Sequence, residues 1–348
     1  MFPVRAGACN RMHGLARSDG GTGGRAMAMK GFDPRWRDLP DYILGITKEI
    51  WEDRGVATLH RYYGRDMVKR GSNGIVVGAQ AVIDETNQSI AGAPDLRLLG
   101  EDVIWSGDED AGFLSSHRVL EIFADRDADG NPTGRTIHER VVADCYCIAN
   151  QITDEWLVYD RGASARQRGL HPREAAAAEI AADGGPATAR RPFTKGQDRP
   201  GPYRGRGNDG EWGLRYQELL ARIMAADFAA IPQVYDRAVH LQLPGGRAAH
   251  GAVEADRFWV ALRAAFPGAD LEIEHSIGRD DPMMPPRSAV RWSLHGRHEG
   301  RGMFGAPTGA MVHLRGASHS EWGPWGLRRD YVLFDEVHVW KQILLHQG

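Results

Sequence analysis

The fold of this chain is decided by residues 131–167, which read NPTGRTIHERVVADCYCIANQITDEWLVYDRGASARQ. Several residues of this stretch recur 175 positions later in the chain, as Pro132 does at Pro307. The identical residues in the second copy are Pro307, Thr308, Gly309, His313, Arg315, Asp335 and Gln342. Upstream the match continues at an offset of 173, which pairs Tyr62 with Tyr235, Gly78-Ala79 with Gly251-Ala252, Pro94 with Pro267, Leu98 with Leu271 and Arg118 with Arg291. A period this long fits one small domain, so two copies of one fold are predicted.

Length, charge and cysteine usage narrow the class of protein. A chain of 348 residues agrees with two domains. The formal net charge of -3 and the lack of a long basic run argue against a nucleic-acid partner. No stretch approaches the roughly 18 apolar residues of a membrane span. Cys9, Cys145 and Cys147 are too few for a disulfide framework, so a reducing, cytoplasmic location is predicted.

Hydrophobic periodicity predicts helices first and strands afterwards in each copy. Helical spacing runs from residue 38 to about residue 64, and a third short helix is expected at 79–90. Alternation then predicts strands at 95–106, 114–124, 136–149 and 154–160. The second copy repeats this order, with helices at 212–236 and 252–266 and strands at 269–277, 288–299, 310–320 and 328–335. The order indicates an α+β domain whose antiparallel sheet wraps on its helices.

The repeat also predicts the domain boundaries. Residues 1–30 are rich in Gly, Arg and Ser and are predicted to be a disordered extension. The first domain spans 31–169, a linker spans 170–210, and the second domain spans 211–348. One helix is expected near 175–180 of the linker. The Gly-, Pro- and Arg-rich remainder is predicted to be a solvated connector, the alternative being that its arginines pair with an acidic partner.

Several stretches resemble the SnoaL-like polyketide cyclases of the nuclear transport factor 2-like superfamily. In the first copy they are SSHR at 115–118, PTGR at 132–135, IANQI at 148–152, DEWLVYD at 154–160 and RQ at 166–167, and in the second they are MFGAPTG at 303–309 and FD at 334–335. The resemblance implies two tandem cone-shaped α+β barrels, each with N-terminal helices, a curved antiparallel sheet and a pocket inside the cone. It also implies that the domains pair through their sheets as an internal pseudo-dimer, and further homo-oligomerisation is left open.

The two faces of the strand predicted at 136–149 differ in chemistry. Alternation places His138, Arg140, Asp144 and Tyr146 on one face, and the apolar side chains with both cysteines on the other, which is predicted to be core. The polar face suits a pocket in which arginine holds an oxyanion while a histidine or carboxylate moves a proton. The alternative is that this face is solvated or forms a salt-bridged interface between the copies.

Two neighbouring strands add further candidates. His117 and Arg118 lie on opposite faces of their strand. Arg118 recurs as Arg291, which favours a structural role, so His117 is the better catalytic candidate. Asp160 and Asp335 end the last strand of each copy. The resemblance implies an acid-base role for a carboxylate at this place, whereas the alternative is an N-cap for the element that follows.

The second copy is rich in histidine and tryptophan. His295 and His298 have an odd spacing that sends them to opposite faces of a strand, which argues against a metal site. Candidate catalytic residues in the whole chain are His117, His138, Asp144, Asp160, His313 and Asp335. Candidate substrate-binding residues are Trp105, Arg118, Arg140, Tyr146, Arg291, Trp292, His298 and Arg315.

The predicted function follows from these candidates and from the resemblance. It is a cofactor-independent enzyme that uses general acid-base catalysis on a small carbonyl-bearing or aromatic substrate, as a cyclase, isomerase or lyase. No phosphate-binding glycine loop or serine nucleophile elbow is found, so neither a cofactor nor a metal is predicted. The alternative is a non-catalytic small-molecule binding or scaffold protein.

Overall fold

The computed structural model describes residues 29–348. The predicted disordered extension, apart from its last two residues, and Cys9 lie outside the described residues. Within the described part, no helix combines the length and the apolar character needed to cross a bilayer.

The first domain is a six-stranded sheet preceded by helices. Its elements are α1 (Leu39–Thr47), α2 (Leu59–Tyr62), β1 (Tyr63–Gly71), β2 (Gly74–Val77), α3 (Ala79–Gly92), β3 (Arg97–Asp108), β4 (Gly112–Arg126), β5 (Pro132–Ile148), β6 (Gln151–Tyr159) and α4 (Arg161–Gln167). In space the strands follow the order β2-β1-β6-β5-β4-β3. Neighbouring strands are antiparallel except β1 and β6, which are parallel.

The second domain repeats this architecture after helix α5 (Pro172–Ala182). Its elements are α6 (Glu211–Met224), α7 (Ile231–Val234), β7 (Tyr235–Leu243), β8 (Arg247–His250), α8 (Ala252–Ala265), β9 (Asp270–Arg279), β10 (Arg287–Arg297), β11 (Met311–Gly323), β12 (Gly326–Phe334) and α9 (Glu336–Gln347). The strand order, β8-β7-β12-β11-β10-β9, matches that of the first sheet position by position. The prediction of two tandem cone-shaped α+β domains is confirmed.

Sequence periodicity missed two strands in each domain. The β1–β2 and β7–β8 hairpins lie where only helices and short connections were expected. Strand β1 pairs with β6, about ninety positions further along the chain, as in Lys69 with Glu155. Its burial does not alternate cleanly, so the local pattern carries little strand signal.

The repeated Gly-Ala pair marks a turn that both domains need. Gly78 and Gly251 precede α3 and α8 with φ angles of +93° and +90°, a backbone region in which a Cβ is costly. A Cβ at Gly78 would also lie 3.2 Å from the carbonyl oxygen of Arg65. The identity at this place therefore reflects backbone geometry.

The two sheets pack against each other through their outer faces. Val142 and Val158 of the first sheet form one buried cluster with Ala317 and Leu333 of the second. Each pair is related by the offset of 175, from 142 to 317 and from 158 to 333. The same strand positions of both copies therefore meet at the interface.

The connector between the domains is anchored to both of them at a few buried points, although most of residues 183–210 are exposed. Phe193 is buried, and its backbone N–H bonds to Ser72 O at 3.0 Å. Further along, the backbone N–H of Tyr203 donates to Asp154 at 2.9 Å, and its hydroxyl lies 2.6 Å from His275 Nε2. Aromatic side chains spaced between the Gly, Pro and Arg residues anchor the segment, because each of them buries apolar surface.

Candidate active site

A cavity of about 460 Å³ lies inside the first cone. This volume is within the range of about 300–1,000 Å³ typical of small-molecule sites. One wall is apolar and comes from the N-terminal helices, with Ile43, Ile46 and Ile50. The opposite wall is the inner face of β4, β5 and β6. Asn73, Gln88 and Arg190 are exposed lining residues, so the cavity opens between the β1–β2 turn, the end of α3 and the connector.

Two glutamates face each other across neighbouring strands of this wall. Glu121 on β4 and Glu139 on β5 are direct partners in the antiparallel register, and both line the cavity. Opposed residues of such a pair have Cβ atoms about 4.5–5.5 Å apart. Two carboxylates at this separation repel each other when both are ionised, which favours a state that holds a proton.

Burial and mutual repulsion hold protons on this pair near neutral pH. Burial, together with the charge of Glu139, raises the pKa of Glu121 to about 8. Burial also raises the pKa of Glu139 to about 7, although the Ser164 hydroxyl donates a hydrogen bond to this carboxylate and opposes the rise. Near pH 7.5 the pair can therefore hold one proton, with Glu139 the more readily ionised member.

A second polar group lies along β1 and β6. Glu155 Oε1 accepts hydrogen bonds from the Tyr63 hydroxyl at 3.2 Å and from Cys145 Sγ at 3.5 Å. Beside it, Lys69 Nζ forms a 2.8 Å ion pair with Glu85 of α3. All five side chains line the cavity. Burial raises the pKa of Glu155, so this carboxyl also holds its proton more tightly than in water.

His117 and Tyr159 complete the polar lining. His117 is buried, its Nδ1 lies 3.3 Å from Ser115 Oγ, and burial lowers its pKa to about 4. The imidazole is therefore neutral at pH 7, with one ring nitrogen as a donor and the other as an acceptor. Burial and the surrounding glutamates raise the pKa of Tyr159 well above its ordinary value, so its hydroxyl stays protonated as a donor.

Of the six candidate catalytic residues from the sequence, only His117 lines this cavity. His138 lies in a groove at the domain interface, beside Arg140 and Asp160. Asp144 points away from the cone and pairs with Arg291 of the second domain. His313 is buried at the interface, against Phe193 of the connector. These residues lie outside the cavity.

The polar face of β5 is an interface and its apolar face lines the cavity, which reverses the sequence expectation. Arg118 donates to Glu101 at 2.7 Å and stacks 3.6 Å over the ring of Tyr331 in the other domain. Its counterpart Arg291 donates to Glu274 at 3.1 Å and stacks over Trp156 at 4.1 Å. Arg140 and Arg315 repeat the pattern on Glu101 and Glu274. The salt-bridged interface, weighed above as the alternative, is the observed arrangement.

The remaining candidate substrate-binding residues have packing partners outside the cavity. The hydroxyl of Tyr146 donates to Ala111 O at 2.7 Å. Trp105 stacks with Arg279 at 4.1 Å. In the second domain Trp292 is fully buried in the core, and buried His298 lies 3.1 Å from the Thr308 hydroxyl. These four side chains contact other residues of the protein and do not line the cavity.

Sequence reasoning missed the glutamates, Lys69, Tyr63 and Tyr159. A signal was present, because Glu121 and Glu139 interrupt strand faces that are otherwise apolar apart from His117, Ser115 and the cysteines. A charged residue on the buried face of a strand is uncommon without a function.

Comparison with known proteins locates the family in the second half of the chain. Residues 216–322 match the family model described as SnoaL-like domain. The second domain is a SnoaL-like domain. No curated protein matches the chain.

Solved structures similar to this chain include three bacterial proteins. IdmH from Streptomyces antibioticus is 18% identical with a TM-score of 0.33, over 38% of this chain and 98% of its own. A SnoaL-like protein from Jannaschia sp. CCS1 is 15% identical with a TM-score of 0.33, over 39% and 96%. A SnoaL-like polyketide cyclase from Agrobacterium tumefaciens is 20% identical with a TM-score of 0.30, over 37% and 94%.

The cone of the SnoaL-like second domain is apolar where the first cone is polar. Strand registers and repeat offsets define the equivalent positions of the two cones. At the positions of His117, Glu121 and Glu139 the second cone has Val290, Leu294 and Leu314. At the positions of Lys69, Glu85 and Tyr159 it has Leu241, Phe258 and Phe334. The position of Glu155 holds Asp330, whose carboxylate accepts from the hydroxyls of Tyr216 at 2.9 Å and Tyr235 at 2.6 Å. The opposed glutamate pair therefore has no titratable counterpart in the second cone.

Asp160, at the junction of the first domain with the SnoaL-like domain, acts as a helix cap. Its carboxylate accepts from the backbone N–H groups of Ala163 at 3.1 Å, Gly245 at 2.7 Å and Gly246 at 2.9 Å. Asp335 caps α9 in the same way through His338 N, at 3.0 Å. The N-cap alternative is thus the observed arrangement for both residues.

We expect Asp160→Ala to lower the free energy of unfolding by about 1–2 kcal/mol, because an N-cap of this kind contributes that amount. Asp160→Asn keeps the Oδ1 acceptor for Ala163 and Gly245 and loses only the Oδ2 bond from Gly246, so it should cost less than Asp160→Ala. Urea unfolding at pH 7 measures both. Equal losses for the two variants would contradict the capping role.

Proposed function

We propose that the first domain is a cofactor-independent acid-base enzyme of the cyclase, isomerase or lyase type, acting on a small carbonyl-bearing or aromatic substrate. The observation that carries this proposal is the opposed pair Glu121 and Glu139 in the wall of the cavity. A pair that holds one proton near neutral pH supplies an acid and a base at the same time.

Each member of the pair takes one role. Glu139 has the lower pKa, so its carboxylate removes a proton from the carbon next to a substrate carbonyl. Glu121 retains its proton and donates it to the carbonyl oxygen, which gives the enol. That enol can be reprotonated at another carbon, attack a second carbonyl or expel a leaving group. Neutral His117 and Tyr159 orient the substrate by hydrogen bonds.

The second domain has a different role in this proposal. Its apolar cone interior and its ordered arginine pairs with the first sheet favour the scaffold function that was the alternative for the whole chain. We infer that the two domains form an internal pseudo-dimer in which only the first cone turns over substrate. The free thiols of Cys145 and Cys147 favour a reducing, cytoplasmic setting.

Deuterium exchange tests this proposal without knowledge of the natural substrate. The protein is incubated in D₂O with a panel of aryl ketones and β-keto esters, and loss of the α-proton signal is followed by NMR. We expect wild-type protein to exchange at least one compound faster than buffer does. The double variant Glu121→Leu with Glu139→Leu, which carries the residues of the second cone, should not.

Glu109→Gln is the matched control, because Glu109 is exposed in the turn between β3 and β4. This variant should exchange the compounds at the wild-type rate. Exchange that survives in the double leucine variant, or wild-type exchange no faster than buffer for every compound, would overturn the proposal.

A further inference from the structure

The charge balance of the first cavity indicates what kind of ligand it holds. Its lining includes four glutamates, Glu85, Glu121, Glu139 and Glu155, and one interior lysine. Lys69 is paired with Glu85 at 2.8 Å. Two arginines also lie at the cavity, but Arg161 bonds to Glu179 at 2.6 Å and to Asp335 at 2.5 Å, and Arg190 is exposed at the opening. The other three glutamates form no salt bridge with the residues that the structure describes, although the charge of Lys69 acts on Glu121 and Glu155 and that of Arg161 on Glu139.

The same three carboxyls have acceptor oxygens that the described protein leaves free. Glu155 and Glu139 are 6% and 8% exposed. Each receives donors on only one oxygen, Oε1 of Glu155 and Oε2 of Glu139. Glu121 receives no hydrogen bond from the residues that the structure describes. These oxygens face the cavity, so a bound ligand can supply their hydrogen-bond donors.

The second cone shows the contrasting, satisfied arrangement. Asp330, at the position of Glu155, receives one tyrosine hydroxyl on each carboxylate oxygen. Leu294 and Leu314 replace the opposed glutamate pair. The second cone thus has no free carboxylate acceptor at these positions. The free acceptors of the first cone are therefore a property of its cavity and not a requirement of the fold.

We propose that the ligand of the first cavity carries a protonated amine, held among the Glu121, Glu139 and Glu155 carboxyls, with an apolar or aromatic body against Ile43, Ile46 and Ile50. That this ligand is also the substrate rests on the function proposed above. A substrate of this class is an amino ketone or a similar basic carbonyl compound. Tyr63 and Tyr159 add aromatic surface that favours a cation.

Three probes of matched size separate charge from shape. They are 2-phenylethylammonium, 2-phenylethanol and 3-phenylpropionate, and binding is measured by isothermal titration calorimetry at pH 8.5. We expect the ammonium to bind about 10-fold or more tightly than the alcohol, as a charge-assisted hydrogen bond contributes more than a neutral one. The carboxylate should bind most weakly of the three.

Substitution of Glu121 and Glu139 tests whether these two carboxyls cause the preference for the ammonium probe over the alcohol. In Glu121→Gln with Glu139→Gln, the ammonium and the alcohol should bind within about 3-fold of each other, which corresponds to less than about 1 kcal/mol. Retained binding of the alcohol shows that the cavity is intact. The single variant Glu121→Gln, with a smaller loss of preference, serves if the double variant does not fold.

Equal binding of the ammonium and the alcohol to wild-type protein, tighter binding of the carboxylate, or no binding of the ammonium at millimolar concentration would overturn the ligand class. The deuterium-exchange experiment is independent of this result. If the protein exchanges neutral ketones but does not prefer the ammonium probe, only the proposed ligand class is wrong. If it prefers the ammonium probe but exchanges no compound, only the proposed enzymatic function is wrong.

Discussion

Replacing Glu139 by Gln is expected to lower the rate of deuterium exchange at pH 7.5 by about 10²–10⁴-fold, the usual contribution of a positioned general base. Glutamine matches the shape of glutamate and can still accept the Ser164 hydrogen bond, but it cannot take a proton. Exchange is measured by NMR on the compound that wild-type protein exchanges fastest. A loss smaller than about 10-fold would contradict the role of Glu139 as base.

The pH dependence of exchange follows from the same pair. Because the apparent pKa values are about 7 and about 8, the state with one proton is most populated between them. Below pH 7 both carboxyls are protonated and no base remains. Above pH 8 both are ionised and no acid remains. We expect a bell-shaped profile for wild type, and Glu121→Gln should lose its high-pH limb while it keeps the low-pH limb.

Arg291→Met is expected to lower the free energy of unfolding by about 3–5 kcal/mol, which is the usual cost of leaving a buried charge without its partner. Arg291 pairs with buried Asp144 across the domain interface. Burial raises the pKa of Asp144, and the Arg291 charge opposes part of this rise. Urea unfolding at pH 7 measures the loss.

The repeat provides a matched control for this substitution. Arg118 occupies the same place in the first sheet, but its cross-domain partner is His319 at 3.2 Å. Burial lowers the pKa of His319 well below its ordinary value, so the imidazole is neutral. Arg118→Met leaves Glu101 paired with Arg140 and no orphaned charge, and should cost less than half as much as Arg291→Met.

A compensating substitution tests the mechanism directly. Arg291→Met combined with Asp144→Leu removes both charges, so the double variant should recover most of the lost stability. Equal losses for Arg291→Met and Arg118→Met, or a double variant no more stable than Arg291→Met alone, would contradict the buried charge pair.

Several repeated identities proved to be structural for reasons that the sequence could indicate but not prove. Gln167 accepts from His138 N at 2.8 Å and donates to His138 O at 2.8 Å. Gln342 makes the same two bonds with the backbone of His313, at 2.8 and 2.9 Å. Each glutamine side chain thus joins the last helix of its domain to the central strand. The identity of these glutamines in both copies therefore reflects a role in the fold.

The sequence by itself determined that this protein has two copies of one α+β fold, since identities at fixed offsets and strand alternation are properties of the chain alone. It also placed His117 and Arg118 on opposite faces of their strand. Only the tertiary structure decided which face of β5 is inside the cone. Alternation defines two faces, but curvature and the partner sheet decide which of them lines a cavity. Here the partner domain covers the polar face and neutralises its charges, and the apolar face surrounds Glu121 and Glu139.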